Sequence, residues 1–171
     1  MKRISAFLLT AAVLCAGVPA VSAQESSGLA LSCASSILME KETGTILYEQ
    51  DAHAKLEPAS VTKIMTLLLV MEAVDSGQIA LEDTVTVSAY AAGMGGSQVY
   101  LKEGEQMTVS EMIKCVTVVS GNDCAVALAE HMAGSETAFV ARMNERAREL
   151  GMEDTNFLNC TGLPADGHIT S

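Results

Sequence analysis

The chain opens on two cations, Lys2 and Arg3, and then runs apolar from Ala6 to Ala16 before Gly17 and Pro19 break the pattern. Val21-Ser22-Ala23 follows, a run of small residues. A basic start, a short apolar run and a small-residue end predict a cleaved export signal over residues 1–23. The apolar run falls well short of the roughly 20 residues a membrane span needs. Residues 24–33 read as a linker. Two short extended runs then flank Lys41-Glu-Thr-Gly44: Ser36-Ile-Leu-Met-Glu40 before it and Thr45-Ile-Leu-Tyr-Glu49 after it. This predicts a β-hairpin with Gly44 at the left-handed turn position.

Beyond Pro58 the period changes. Val61, Ile64, Met65, Leu67 to Met71 and Val74 predict a helix that is apolar on nearly every side and ends at Ser76-Gly77. Such a helix is expected to be buried at the centre of the domain. Residues Ala89 to Gly104, with Gly93, Gly95 and Gly96, read as one long loop. Thr108-Val-Ser-Glu111 is a capping box opening a helix that carries Met112, Ile113, Cys115, Val116 and Val119 at helical spacing. That helix stops at Ser120-Gly121. A further helix runs from Asp123 to His131 and closes at Gly134, and another from Glu136 to Leu150 with Gly151 beyond its end. No further strand is evident, so the hairpin is expected to be the only sheet element, marginal by itself. The class is α+β and helix-rich.

Composition narrows the function. The chain has 49% hydrophobic residues, which makes it globular rather than disordered. Ten Lys and Arg stand against 21 Asp and Glu, a net charge of −11, with no basic cluster, and this excludes nucleic-acid binding. Trp is absent and aromatics make up 4%, which excludes an aromatic stacking platform. Cys33, Cys115, Cys124 and Cys160 fit neither a CxxC nor a zinc spacing and read as buried free thiols rather than bridges. His53, His131 and His168 are isolated in sequence and read as surface or helix-packing residues, not metal ligands. No cofactor is expected.

Ser60-Val-Thr-Lys63 is the only S-x-x-K in the chain, and its spacing puts a hydroxyl and an amine on one helical face. The helix N-terminus adds partial positive charge beside Ser60, suited to a developing oxyanion. Lys63 acts as a base only when neutral. Moving a lysine from about 10.4 towards 7 requires about 4 kcal/mol, of the size that burial and nearby positive charge can supply together. Taken alone, the motif is a weak signal and fits a helix-capping serine and a solvated lysine better than a catalytic pair. Ser120-Gly-Asn122, at the junction of two predicted helices, is by itself ordinary turn chemistry.

Together and in this order they resemble the active-site serine family of penicillin-binding proteins and class A β-lactamases. Pro58-Ala-Ser-Val-Thr-Lys-Ile-Met-Thr66, the Gly96-Ser97 loop leading to Gly104-Glu105, Ser120-Gly-Asn-Asp123 and Gly151-Met-Glu-Asp-Thr-Asn-Phe-Leu-Asn-Cys-Thr-Gly-Leu163 resemble exported D-alanyl-D-alanine carboxypeptidases. The likeness runs over residues 34–171, which it implies are part of a β-lactamase/transpeptidase-like catalytic domain with a central nucleophile helix. It implies Ser60 as the acylated nucleophile, Lys63 as its general base, Ser120 as the relay that protonates the leaving amine and Asn122 as a holder of the substrate amide. The implied reaction removes the terminal D-alanine of a peptidoglycan stem peptide ending in D-Ala-D-Ala, in the extracytoplasmic space, with β-lactams acylating the same serine.

The family's third motif, K-T-G on a strand after the helices, is absent, and Lys41-Glu-Thr-Gly44 does not replace it because Glu42 interrupts the triplet. The chain is therefore expected to be truncated before that strand, and inactive as it stands. Two alternatives are a class A-like β-lactamase and a non-catalytic remnant. The first fits less well because Asp154 to His168 contains no Glu to deacylate the enzyme.

Overall fold

The computed structural model describes residues 31–171, so the predicted export signal and nearly all of the predicted linker lie outside the described residues. Strands β1 (Ser36–Met39) and β2 (Ile46–Gln50) pair antiparallel with a bulge between Leu38 and Met39. Gly44 closes the turn, donating to the Glu40 carbonyl at 3.0 Å from a backbone φ of +70°, a region open to glycine at no steric cost. A second antiparallel pair, β3 (Thr84–Thr86) with β4 (Gln106–Thr108), corrects the expectation of a single hairpin. Three residues per strand are too few for alternation to register in the sequence.

Five helices complete the described part: α1 (Lys63–Asp75), α2 (Ala89–Ala92), α3 (Val109–Val119), α4 (Asn122–Ala133) and α5 (Glu136–Glu149). Helix α2 breaks the predicted long loop. Ser88 caps it by accepting the Ala91 N–H at 2.9 Å, and residues 93–105 stay without helix or strand. Among the described residues no helix is long and apolar enough to cross a membrane.

The expectation that the apolar helix lies at the centre also needs correction. Met65, Thr66, Val70 and Ala73 of α1 are buried, yet Ile64 on its other side is 69% exposed, and Val61, just before the helix, is 60% exposed. The most enclosed helix is α4, whose residues Asn122 to Ala129 are all buried. Its alanines at 125, 127 and 129 give it a slim profile, so neighbours approach from every side. Apolar composition reports that a helix wants cover; the number of faces actually covered depends on its neighbours.

The capping box forms as predicted. Thr108 Oγ1 accepts the Glu111 N–H at 3.2 Å while Glu111 Oε2 accepts the Thr108 N–H at 2.8 Å. Thr108→Ala removes one half of this exchange and should lower stability by about 1 kcal/mol, read from the urea midpoint at unchanged slope. The four cysteines among the described residues are free: Cys124 and Cys160 are buried, Cys115 is half-buried, and Cys33, against expectation, is exposed. Among the histidines, His53 and His131 are exposed as expected. His168 is buried, bonded to Thr62 of the 3-10 turn before α1 on one side and to the Leu158 backbone on the other.

Candidate active site

A left-handed residue lifts the chain into the first functional turn. Ala59, at φ +46°, follows Pro58 and starts a single 3-10 turn, Ala59–Thr62, that leads into α1 and presents Ser60. Against this turn lies Gly162, at φ +83°. A Cβ on Gly162 would stand 1.7 Å from the Ala59 carbonyl oxygen and 3.0 Å from the Ser60 nitrogen, so the backbone approach admits glycine alone.

Lys63 is only 4% exposed, and its Nζ donates to Ser60 Oγ at 3.2 Å and to the Thr161 carbonyl at 2.7 Å. Burial pushes the amine below the ordinary lysine pKa, opposed by the nearby Cys160 thiol. The same 3.2 Å contact serves the neutral amine, which then accepts the hydroxyl proton. The loop supplying Thr161 is tied down at several points. Thr66 Oγ1 donates to the Cys160 carbonyl at 2.7 Å, and Asn159 Oδ1 accepts the Thr161 and Gly162 N–H groups at 3.1 and 2.7 Å. Glu136 Oε1 accepts the Cys160 N–H at 3.0 Å while Oε2 takes the Tyr90 hydroxyl at 2.6 Å. That carboxylate pushes the Tyr90 hydroxyl up to about 12.

The second constellation sits at the α3–α4 junction. Ser120 ends α3 in the left-handed region at φ 59°, half-buried, and Gly121 turns the chain into α4. Asn122 is 4% exposed; its Nδ2 donates to the Gly95 carbonyl and its N–H to the Ser97 carbonyl, both at 2.7 Å. A Cβ on Gly96 would fall 2.8 Å from Asn122 Nδ2 and 3.4 Å from Leu163 Cδ2, so the glycine loop fills the space between the two constellations. Ser60 and Lys63 are thus in direct contact, and Asn122 reaches them through the Gly96 and Leu163 segments. No direct hydrogen bond joins Ser120 to Ser60 or Lys63 among the described residues.

Several residues that build the site carried no role in the sequence reading. Asp123, fully buried, accepts the Val99 and Leu101 N–H groups at 3.0 and 3.1 Å and its neighbour Cys124 N–H at 2.9 Å, pinning the glycine loop. An acid at the start of an otherwise apolar helix was the available signal. Thr161 and Gly162 lay inside the motif wording without an assigned function.

A family model described as D-alanyl-D-alanine carboxypeptidase matches residues 20–171. The chain belongs to the D-alanyl-D-alanine carboxypeptidase family. It is 47% identical to the D-alanyl-D-alanine carboxypeptidase DacF of Bacillus subtilis, a match that covers all of this chain and 45% of the relative. The crystal structure of the D-alanyl-D-alanine carboxypeptidase DacD from Francisella tularensis superposes with a TM-score of 0.83 at 35% identity, over 85% of this chain and 35% of that one. Penicillin-binding protein D2 from Listeria monocytogenes, solved in an ampicillin-bound form, superposes at 0.74 with 28% identity over 85% of this chain and 59% of that one. The chain therefore spans less than half the length of the Bacillus and Francisella carboxypeptidases. The helix-rich α+β fold expected from the motifs is the fold of these relatives.

Proposed function

We propose that this carboxypeptidase-family chain carries the acylating centre of a serine-type D-alanyl-D-alanine carboxypeptidase. The observation that supports it most is the Ser60–Lys63 contact of 3.2 Å, made by an amine that burial holds below the ordinary lysine range. In this reading neutral Lys63 takes the Ser60 proton as Oγ attacks the carbonyl between the two terminal D-alanines. The C–N bond breaks, the departing D-alanine amine receives a proton by way of Ser120, and water then hydrolyses the Ser60 ester. Asn122 holds the substrate amide and the turn N-terminus faces the developing oxyanion. β-Lactams acylate the same hydroxyl, in keeping with the ampicillin-bound Listeria relative. The organisation that goes with it is an export signal over residues 1–23, a linker over 24–33 and catalytic-domain sequence over 34–171, acting outside the cytoplasm on peptidoglycan.

Release of D-alanine from a peptide ending in D-Ala-D-Ala, assayed on the product of the complete reading frame, tests the reading. Rapid turnover of penicillin without peptide cleavage would identify a β-lactamase instead. Lys63→Arg keeps the charge but cannot give it up, so acylation should fall by orders of magnitude. In the unmodified protein the acylation rate should climb with pH through a limb below the free-lysine value of about 10.4, because burial favours the neutral amine. A limb at or above that value would count against Lys63 as the base.

A further inference from the structure

His168 is 2% exposed and takes no part in the steps above. Both of its ring nitrogens are engaged. Nδ1 accepts the Leu158 N–H at 3.0 Å, and Nε2 lies 2.7 Å from Thr62 Oγ1. A backbone N–H only donates, so Nδ1 presents its lone pair; the neutral ring therefore carries its proton on Nε2 and gives it to the Thr62 hydroxyl. Phe157 meets the ring edge-on, centroids 5.8 Å apart.

The two partners of the ring lie on the two segments that define Lys63. Thr62 stands between Ser60 and Lys63 in the 3-10 turn and is 1% exposed. Leu158 leads into Asn159–Thr161, whose Thr161 carbonyl takes the Lys63 amine. We propose that His168 is a positioning residue for the Ser60–Lys63 pair, clamping the turn that carries both onto the segment that supplies the Thr161 carbonyl. The proposal rests on Ser60 as nucleophile and Lys63 as base.

The clamp works only with a neutral ring. A second proton would go to Nδ1 and set it donor to donor against the Leu158 N–H, so acid opens the clamp. Burial holds the ring below the ordinary histidine pKa, opposed by Glu57, the charged group whose field reaches it. The unfolded chain takes up the proton near pH 6.5 and the folded chain only at lower pH. The clamp's stabilisation is thus complete above about pH 6.5 and is lost as pH falls through the lower folded value.

The test measures fluorescent-penicillin acylation and imidazole 15N spectra side by side, on the product of the complete reading frame. His168→Gln removes the acceptor facing Leu158, and Thr62→Val removes the hydroxyl at similar shape. Each should slow acylation on the order of tenfold to a hundredfold, the scale of a small misplacement of reacting groups. The double variant should be no slower than the worse single one, since both break the same link. Below about pH 6.5 the parent protein should lose rate in a step that His168→Gln lacks. The spectrum of the parent should show an unprotonated Nδ1 and a protonated Nε2, a readout that needs no variant to fold. Variants that acylate at the parent rate with an unchanged acid limb, or a parent ring protonated on Nδ1 at neutral pH, would overturn the clamp. A parent that shows the expected tautomer but takes no label at Ser60 overturns the nucleophile reading instead.

Discussion

Ser60→Ala should erase covalent labelling by fluorescent penicillin in the product of the complete reading frame, and with it the release of D-alanine. The expected loss of turnover is on the order of a million-fold, the scale seen when a catalytic serine is removed from an enzyme that works through an acyl intermediate. The size follows from what is lost. Lys63 keeps its burial and its Thr161 contact, but the hydroxyl that its amine hydrogen-bonds is gone. No neighbouring side chain substitutes, because Ser120 makes no hydrogen bond to Lys63 among the described residues. Peptide mapping of the labelled parent protein should place the adduct on Ser60. Persistent labelling of the alanine variant would move the nucleophile elsewhere and end the assignment.

Gly162→Ala should be nearly as damaging by a different route. The added methyl would stand 1.7 Å from the Ala59 carbonyl oxygen and 2.3 Å from its carbon, and both are backbone atoms that cannot rotate aside. Either the 157–163 loop or the turn bearing Ser60 must move, and any such movement separates the Thr161 carbonyl from Lys63. A cost above about 4 kcal/mol is expected, beyond the usual range for point substitutions. Gly167→Ala is the matched control. Gly167 has a similar φ of +87°, but the nearest atom to its new methyl lies 3.9 Å away, so it pays only the left-handed penalty of about 1–2 kcal/mol. Urea unfolding of the two variants, with Ser60 labelling in parallel, separates the effects. Equal destabilisation would show that backbone conformation, not close approach, is what Gly162 provides.

What the sequence made legible was local. The hairpin turn at Gly44, the capping box at Thr108 and Glu111 and the pairing of Ser60 with Lys63 all depend on residues at most four positions apart, where chain geometry alone decides who meets whom. The carboxypeptidase resemblance extended this to Ser120 and Asn122, with Asn122 as a holder of the substrate amide, but not to the contact its amide makes with the Gly95 carbonyl. The illegible part is the long-range scaffolding. The Lys63–Thr161 contact spans 98 positions, the Thr62–His168 contact 106, and no periodicity encodes either. Strands β3 and β4 were too short to show a pattern. The apolar run of α1 showed the need for burial but not which side would be covered.

Asp123 grips the glycine loop by the backbone N–H groups of Val99 and Leu101, while the side chain of the intervening Tyr100 stands 78% exposed. An anchor of this kind reads only the path of the main chain and is blind to the residues strung along it. Exposed side chains along this loop can therefore vary as far as the main chain allows, and at Tyr100, held at φ +64°, that means residues which tolerate the left-handed region. A library at Tyr100 limited to Asn, Asp, His and Gly, which tolerate that backbone, would sample new exposed chemistry on an unchanged frame, with Asp123 held constant.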